Sequence, residues 1–184
     1  MDRRGLSGQS VQVSINDHRQ GSSWYNEGEI ESTVQTVQSL VTEGIFSASE
    51  ISVVAPFREH VYRLRSALRK ATLSKVNVGV PENYQGSENR CTIISTVRAR
   101  SRFLSMDASN GLGLIKERRR LCVSITRAKE ALIIITSNAQ LLVEADPHWR
   151  ALLGFCLRHK LSASSALQDG RHISDESLGI RVRT

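Results

Sequence analysis

Short apolar runs rich in β-branched residues alternate along the chain with segments whose apolar residues recur at helical spacing. This alternation is typical of a parallel sheet with crossover helices. Three of the runs, ISVVA, TIIST and LIIIT, are almost continuously apolar or β-branched, as strands covered on both faces are. The pattern predicts strands at Val11–Ile15, Ile51–Ala55, Val76–Val80, Thr92–Val97 and Leu132–Thr136.

Between these runs, apolar residues three or four positions apart predict amphipathic helices. In the first helix these residues are Ile30, Val34, Val37 and Val41, and in the second they are Val61, Leu64 and Leu68. The predicted helices span Glu27–Thr42, Arg58–Lys70, about Arg119–Lys129, and about His148–His159 after Asp146-Pro147.

A chain of 184 residues is long enough for one domain with a substantial core and too short for two full domains of this kind. The pattern predicts one α/β domain over residues 11–161, after a flexible N-terminus at residues 1–10. Residues 162–184 are rich in Ser, Arg and Asp with little apolar periodicity, and they are predicted to form a flexible tail.

The formal net charge of +7 makes a polyanion, above all a nucleic acid, the leading partner. The cysteines Cys91, Cys122 and Cys156 are odd in number and far apart, which favours reduced thiols over disulfides or a zinc site. The sequence shows no signal peptide, and its longest apolar stretch is far shorter than a membrane span. These features predict a cytoplasmic protein, or alternatively a nuclear one, that does not contact membranes.

The segment from Arg119 to Lys129 carries two arginines suited to phosphate. On a continuous helix, Arg120 and Arg127 share a face about 10 Å apart along the axis, away from the apolar face. The guanidinium fork stays charged and donates paired hydrogen bonds to phosphate oxygens. The alternative is an ordinary solvated basic face.

Two further segments follow predicted strands. In the loop after Val80, Gly86 permits close backbone approach, and Gln85 and Glu88 supply polar groups. Arg58 follows another strand, where α/β sheets bind ligands beyond the carboxyl ends of strands. The alternatives are a plain connecting loop and a helix-surface arginine. We expect all three segments to lie at the same edge of the sheet.

In order and wording, the three segments resemble motifs IV, V and VI of superfamily 1B helicases, in the nonsense-decay and RNA-silencing branch. Ile51–His60 resembles I-x-V-I-x-P-Y-R-x-Q, Val78–Glu88 resembles V-G-[ST]-V-[DE]-x-F-Q-G-x-E, and Arg120–Lys129 resembles R-F-N-V-A-x-T-R-A-K. The closest resemblance is to the Moloney leukaemia virus 10-type, or Armitage-like, RNA helicases. It implies an α/β fold of RecA-like, P-loop NTPase type: a parallel sheet flanked by helices, here in a lobe without its own P-loop.

The resemblance also implies a nucleotide site shared with an N-terminal RecA-like lobe of the same parent protein. Arg127 would be the arginine finger, with Arg120 assisting it or bridging to the motif V loop. ATP would also be contacted by Arg58, Gln85, Gly86 and Glu88. Mg²⁺ would be held by the first lobe, so no metal site is expected in this chain.

RNA, or alternatively DNA, is the implied polymer, contacted mainly through phosphates. The candidate contacts are the basic residues after the fourth strand and before the motif VI segment: Arg98, Arg100, Arg102, Lys116, Arg118 and Arg119. Further implied partners are RNA-silencing or RNA-decay proteins. Trp24 and Trp149 are expected to be packing anchors.

Four of the departures from the motifs fall at positions that bear on function: Val80, Pro81, Cys122 and Ser124. Val80 lacks the motif V hydroxyl, and Pro81 lacks an N–H and stiffens the loop, so coupling to nucleic acid is in question. The sequence has no G-x-x-x-x-G-K-[ST] motif, so this chain alone should not hydrolyse ATP. Two hypotheses remain: the C-terminal lobe of an ATP-dependent helicase, or a degenerate, non-catalytic module that binds RNA or protein.

Overall fold

The computed structural model of the protein describes residues 23–161 in full and the backbone of residues 17–20 and 178–183. The strands are β1 (Asp17–Gln20), β2 (Ser23–Asn26), β3 (Ile51–Val54), β4 (Asn77–Gly79), β5 (Asn89–Ser95), β6 (Ala128–Thr136) and β7 (Leu178–Arg183). The helices are α1 (Glu27–Thr42), α2 (Arg58–Lys70), α3 (Leu104–Ser109), α4 (Arg118–Ile125), α5 (Ala139–Ala145) and α6 (Pro147–Arg158).

The main sheet has the strand order β4-β3-β5-β6-β7. The first four of these strands are parallel, and β7 pairs antiparallel with β6. Strands β1 and β2 form a separate antiparallel pair. The parallel sheet flanked by helices confirms the predicted α/β RecA-like fold.

Both faces of the parallel sheet are covered, which explains why its strands are apolar without clean alternation. Successive β6 side chains enter different cores: Ile133 packs with residues of α1 and α2, and Ile134 packs with residues of α4, α5 and α6. Trp149 is fully buried in the second core and Trp24 is 9% exposed, so both tryptophans are packing anchors, as expected.

Helices α1 and α2 have the predicted bounds, and α6 differs by one residue at each end. The third predicted helix is wrong at its end, because α4 stops at Ile125 and β6 begins at Ala128. The side chains of Thr126 and Arg127 bond to the carbonyls of Cys122 and Val123, which closes the last turn. Arg127 therefore lies between a helix and a strand.

The predicted flexible N-terminus at residues 1–10 and the predicted strand Val11–Ile15 lie outside the described residues. Within the predicted tail, Leu178–Arg183 instead form β7 and pair with Ala131–Thr136. The alternation of Leu178, Ile180 and Val182 with glycine or arginine is a strand pattern that could have indicated it. In the described part of the chain, no helix is long and apolar enough to cross a membrane.

Candidate functional site

Arg120 joins three separate segments of the chain near the start of α4. Its Nε and Nη2 atoms donate to the carboxylate of Glu82, at 2.7 and 3.1 Å. Nη2 also donates to the Pro56 carbonyl at 3.1 Å, and Nη1 donates to the Gly113 carbonyl at 3.0 Å. Arg120 thus has the contact to the motif V loop that was one of its two expected roles.

The carboxylate of Glu82 offsets the charge of Arg120. Partial burial alone would raise the pKa of Glu82, but hydrogen bonds from Arg120 and the charges of Arg120 and Arg58 hold it below its ordinary value. Only 11% of the Arg120 side chain is exposed. This geometry suits a residue that positions loops better than one that meets a ligand.

Arg127 is held entirely by neutral groups. Its Nε donates to the Val123 carbonyl at 3.0 Å, and Nη1 donates to the carbonyls of Tyr84 and Ser87 at 3.2 and 3.0 Å. Nη2 donates to Thr126 Oγ1 at 2.9 Å. These four hydrogen bonds order the Arg127 side chain. Because none of the acceptors is charged, they do not neutralise its positive charge.

The expectation that the three motif segments share one edge of the sheet holds for Arg120, which contacts Pro56 and Glu82, but is wrong for Arg127. Arg58 follows the carboxyl end of β3, whereas Arg127 is next to Asn89, the first residue of β5, whose N–H donates to the Arg127 carbonyl at 2.9 Å. Residues 80–88 run from the carboxyl end of β4 to the amino end of β5. Arg58 and Arg127 are thus separated by roughly the length of a five-residue strand, about 16 Å.

The loop that carries Gln85, Gly86 and Glu88 is exposed beside Arg127. Gly86 has φ +77°, a conformation that favours glycine, and Glu88 lies 3.4 Å from Lys129 Nζ. The structure therefore brings these three candidates together with Arg127 and leaves Arg58 elsewhere.

Tyr84 anchors this loop to the sheet at β3 and β4. The single proton of its buried hydroxyl is shared between two carbonyls, those of Val53 at 3.1 Å and Asn77 at 2.9 Å, and burial raises the pKa of Tyr84. Phenylalanine, the usual residue of motif V at this position, has no hydroxyl. Tyr84 therefore adds hydrogen bonds from the loop to β3 and β4.

The prediction that Arg98 contacts nucleic acid is wrong, because its side chain is buried and the residue is only 1% exposed. Its Nε and Nη2 donate to the Asp107 carboxylate at 2.6 and 2.5 Å. Its guanidinium carbon also lies 4.3, 4.6 and 4.9 Å from the ring centroids of Trp24, Phe57 and Phe103. A side chain enclosed in this way braces the fold and is not available to phosphate.

The other predicted nucleic-acid residues are exposed: Arg100, Arg102, Lys116, Arg118 and Arg119. Lys116 Nζ donates to the Ala145 carbonyl at 2.5 Å, and Arg102 stacks on Phe103 at 4.6 Å. These contacts leave the positive charges in place, so the group remains able to meet a polyanion.

A buried polar network at the carboxyl ends of β5 and β6 was not found from the residue pattern. At its centre, Glu29 accepts hydrogen bonds from the backbone N–H groups of Val97 and Ser137 and from the hydroxyl of Ser95, at 2.8, 3.0 and 2.6 Å. Burial raises the pKa of Glu29, against the lowering effect of these hydrogen bonds. Asn26, the N-cap of α1, donates to Ser137 Oγ at 2.7 Å.

His60 connects α2 to the same network. Its Nδ1 accepts from the Asn26 N–H at 3.2 Å, and its Nε2 lies 2.9 Å from Ser95 Oγ. Full burial lowers the pKa of His60 to about 3, so the ring is neutral at ordinary pH. Beside the network, Val97 has φ +69°, which is strained for a β-branched residue. In the sequence, the indication of this network was that His60 replaces the glutamine of motif IV.

No cluster of three or more His, Cys, Asp or Glu side chains in the described residues could hold a metal ion. The described site instead contains arginines, whose guanidinium N–H groups are donors that suit anions.

A parallel sheet flanked by helices, with two ordered arginines in the segment from α4 to β6, defines a domain of RecA-like fold. A family model described as "AAA domain" matches residues 8–139, and the chain belongs to this family.

Similar proteins specify the branch. The chain is 37% identical to "Putative helicase MOV-10" of Gallus gallus over 148 residues, 73% of this chain and 15% of that protein. It is 32% identical to "Probable RNA helicase armi" of Drosophila melanogaster, over 79% of this chain and 12% of that protein. It is 37% identical to "RNA helicase Mov10l1" of Homo sapiens, over 79% of this chain and 12% of that protein. The resemblance to Mov10-type superfamily 1 helicases is confirmed, and the chain spans only 12–15% of these relatives.

Proposed function

We propose that this chain is the second RecA-like lobe of an ATP-dependent RNA helicase and that it supplies Arg127 to a nucleotide held mainly by the first lobe. The observation that carries the proposal is the state of Arg127: it is ordered by four hydrogen bonds, all to neutral acceptors, and partly exposed beside an exposed loop.

The residues of this lobe fit the phosphate end of ATP. A guanidinium has five N–H donors, so the Arg127 bonds leave one N–H and the whole charge for a phosphate oxygen. Arg120, whose charge faces Glu82, holds the loop beside α4 and is a positioning residue. Gln85, Gly86 and Glu88 lie where the same nucleotide would be contacted, and Arg58 would meet it only from the opposite end of the strands.

Binding of ATP and hydrolysis of its terminal phosphoanhydride bond would close and open the two lobes, with Mg²⁺ held by the first lobe. The exposed Arg100, Arg102, Lys116, Arg118 and Arg119 would contact the phosphates of RNA, or of DNA. RNA is preferred because two of the relatives are named RNA helicases. From the family branch, we propose a cytoplasmic protein with RNA-silencing or RNA-decay partners.

The test is the ATPase rate of the full-length parent protein carrying Arg127→Ala. We expect a loss of at least ~10³-fold in RNA-stimulated turnover with nucleotide binding retained, since an arginine finger acts on the transition state. Arg158→Ala, an exposed arginine on α6, is the matched control and should turn over ATP normally. Near-normal turnover by Arg127→Ala would refute the assignment.

A second candidate, a non-catalytic RNA- or protein-binding lobe, is favoured by one observation. Val80 and Pro81 remove a hydroxyl and an N–H from the motif V loop. The parent protein separates the two functions: RNA binding without any ATP hydrolysis in the wild type would establish the non-catalytic module.

A further inference from the structure

One face of α2 carries an aromatic side chain in line with two arginines. Tyr62, Arg65 and Arg69, here called the α2 stripe, are spaced by three and four residues, so they form a single row about 10 Å long. All three are exposed, and Tyr62 is exposed to 70%, more than any other large hydrophobic side chain in the described part of the chain.

The α2 stripe and α4 lie on different faces of the sheet, and the link between the stripe and the candidate nucleotide site is Arg65, which donates to Val78 and whose charge acts on Tyr84. The buried side of α2 packs into the first core, with Leu64 and Leu68, and that of α4 packs into the second core, with Leu121. The two helices therefore cover opposite faces of the sheet. A ligand on the α2 stripe would not touch Arg120 or Arg127.

The charge of the stripe is not neutralised. Residues 58–75 hold six basic residues and one acidic residue, Glu59, which is paired with Arg63 at 2.8 Å. Arg65 donates to the neutral carbonyl of Val78, from Nε at 3.0 Å and from Nη2 at 2.5 Å. Among the residues that the structure describes, no carboxylate forms an ion pair with Arg65 or Arg69.

A cavity of about 140 Å³ opens beside the two arginines, between α2 and β4. Its polar lining comes from Arg65, Arg69, Ser74 and Asn77. Cationic forks together with a hydroxyl and an amide are donors for the oxygens of a phosphate group.

We propose that the α2 stripe binds single-stranded RNA outside the predicted track, with a base stacked on Tyr62 and phosphates on Arg65 and Arg69. Basic side chains interleaved with an exposed aromatic ring are the arrangement by which proteins hold single strands without reading sequence. An acidic peptide would satisfy the arginines but has no base to cover Tyr62. The choice of RNA as the polymer rests on the proposed function, whereas binding at the stripe needs neither ATP nor the first lobe.

The first experiment reverses the charge of both arginines. The 184-residue chain carrying Arg65→Glu and Arg69→Glu is titrated against fluorescein-labelled oligouridine by anisotropy at several KCl concentrations. We expect at least a tenfold loss of affinity, and a slope of log affinity against log salt that is shallower by about 1.4, since each phosphate contact contributes about 0.7.

The matched control is Arg150→Glu with Arg158→Glu on α6, which packs into the second core. It changes the net charge equally, and the Arg150 guanidinium, like that of Arg65, donates to a backbone carbonyl, that of Val143 at 3.0 Å. We expect the control to keep the wild-type slope. If the stripe and control variants lose affinity and slope equally, binding reflects net charge alone and the proposal is overturned.

The second experiment addresses the ring. Tyr62→Ala should weaken oligouridine binding by roughly fivefold or more, and Tyr62→Phe should bind as the wild type does, because stacking needs only the aromatic face. Wild-type affinity for Tyr62→Ala overturns the proposal. So does polyglutamate of equal charge if it displaces oligouridine equally well, an outcome that would assign the stripe to an acidic protein segment. A negative result for Arg127→Ala in the parent leaves these measurements unaffected.

Discussion

His60 is a neutral imidazole at a fully buried position, where a positive charge on the ring would lose its hydration. It is fully buried, both ring nitrogens are engaged, and the nearest acid in its network, Glu29, shares the Ser95 hydroxyl with it. Burial lowers the pKa of His60 from its ordinary 6.5 to about 3 in the folded protein. An unfolded chain therefore takes up this proton at much higher pH than the folded chain does.

From this difference we predict acid sensitivity that has its origin at His60. Its contribution to stability is complete above pH 6.5 and is lost as the pH falls toward 3. Between pH 7 and pH 5 the free energy of unfolding should fall by about 2 kcal/mol on account of this residue. Urea denaturation at a series of pH values measures it.

His60→Gln is the matched control, since glutamine can accept from Asn26 and cannot be protonated. The difference between wild type and variant isolates His60 from Glu29, whose raised pKa acts in the opposite sense, losing stability as the pH rises. Equal pH dependence of the two proteins would contradict the prediction.

At the level of single residues, the sequence predicted candidate arginines for the site but not which of them are exposed. Arg98 and Arg100 look alike in the sequence, yet Arg98 is enclosed by Asp107 and Phe103 and by the rings of Trp24 and Phe57, which are distant in sequence. Such an enclosure depends on residues brought together only by folding. The Glu29 network was missed for the same reason: Ser95 and Ser137 are 66 and 108 positions away from it.

At the level of elements, helix starts follow local rules, and α6 is an example. Asp146 is its N-cap: Oδ1 accepts from the N–H groups of His148 and Trp149, and Pro147 occupies the first turn. We predict that Asp146→Ala lowers the free energy of unfolding by about 1 kcal/mol, measured by urea denaturation.

Asp146→Asn is the control for this cap, because the amide oxygen can accept the same hydrogen bonds. It should remain within a few tenths of a kcal/mol of the wild type. If both variants lose the same amount, the charge of Asp146, rather than its capping oxygen, stabilises the helix.

The end of α4 shows where local rules fail. The periodic apolar pattern continues to Ala128, but pairing of Ala128 with Asn89 draws it into β6. Strand pairing is a non-local interaction, and the 3.6-residue period carries no information about it. The consequence for the site is large, since it places Arg127 at the amino ends of β5 and β6 and not beside Arg58.

At the level of the whole molecule, the strand pattern predicted the parallel sheet because burial on both faces leaves a visible composition. It did not predict that β7 would cover the outer edge of β6. A strand edge with apolar flanks such as Ile133, Ile134 and Ile135 is prone to pair with another chain when it is uncovered.

We therefore predict that removing residues 178–184 makes the protein associate. The free energy of unfolding should fall by roughly 2 kcal/mol or more through lost ladder hydrogen bonds, and light scattering after size exclusion should show species larger than the monomer. Ile180→Val in the full chain is the control and should behave as the wild type. A truncated chain that stays monomeric with unchanged stability would show that β7 contributes little.

The neutral acceptors around Arg127 have an entropic consequence. An exposed arginine normally loses rotameric freedom only when it meets its ligand, at a cost of about 1 kcal/mol to the binding free energy. In this chain, folding has already imposed this loss of rotameric freedom, because carbonyls from α4 and from the loop of residues 80–88 fix the guanidinium. Any phosphate that reaches Arg127 therefore meets a cation that is already immobilised, so nearly all of their electrostatic attraction is available for binding.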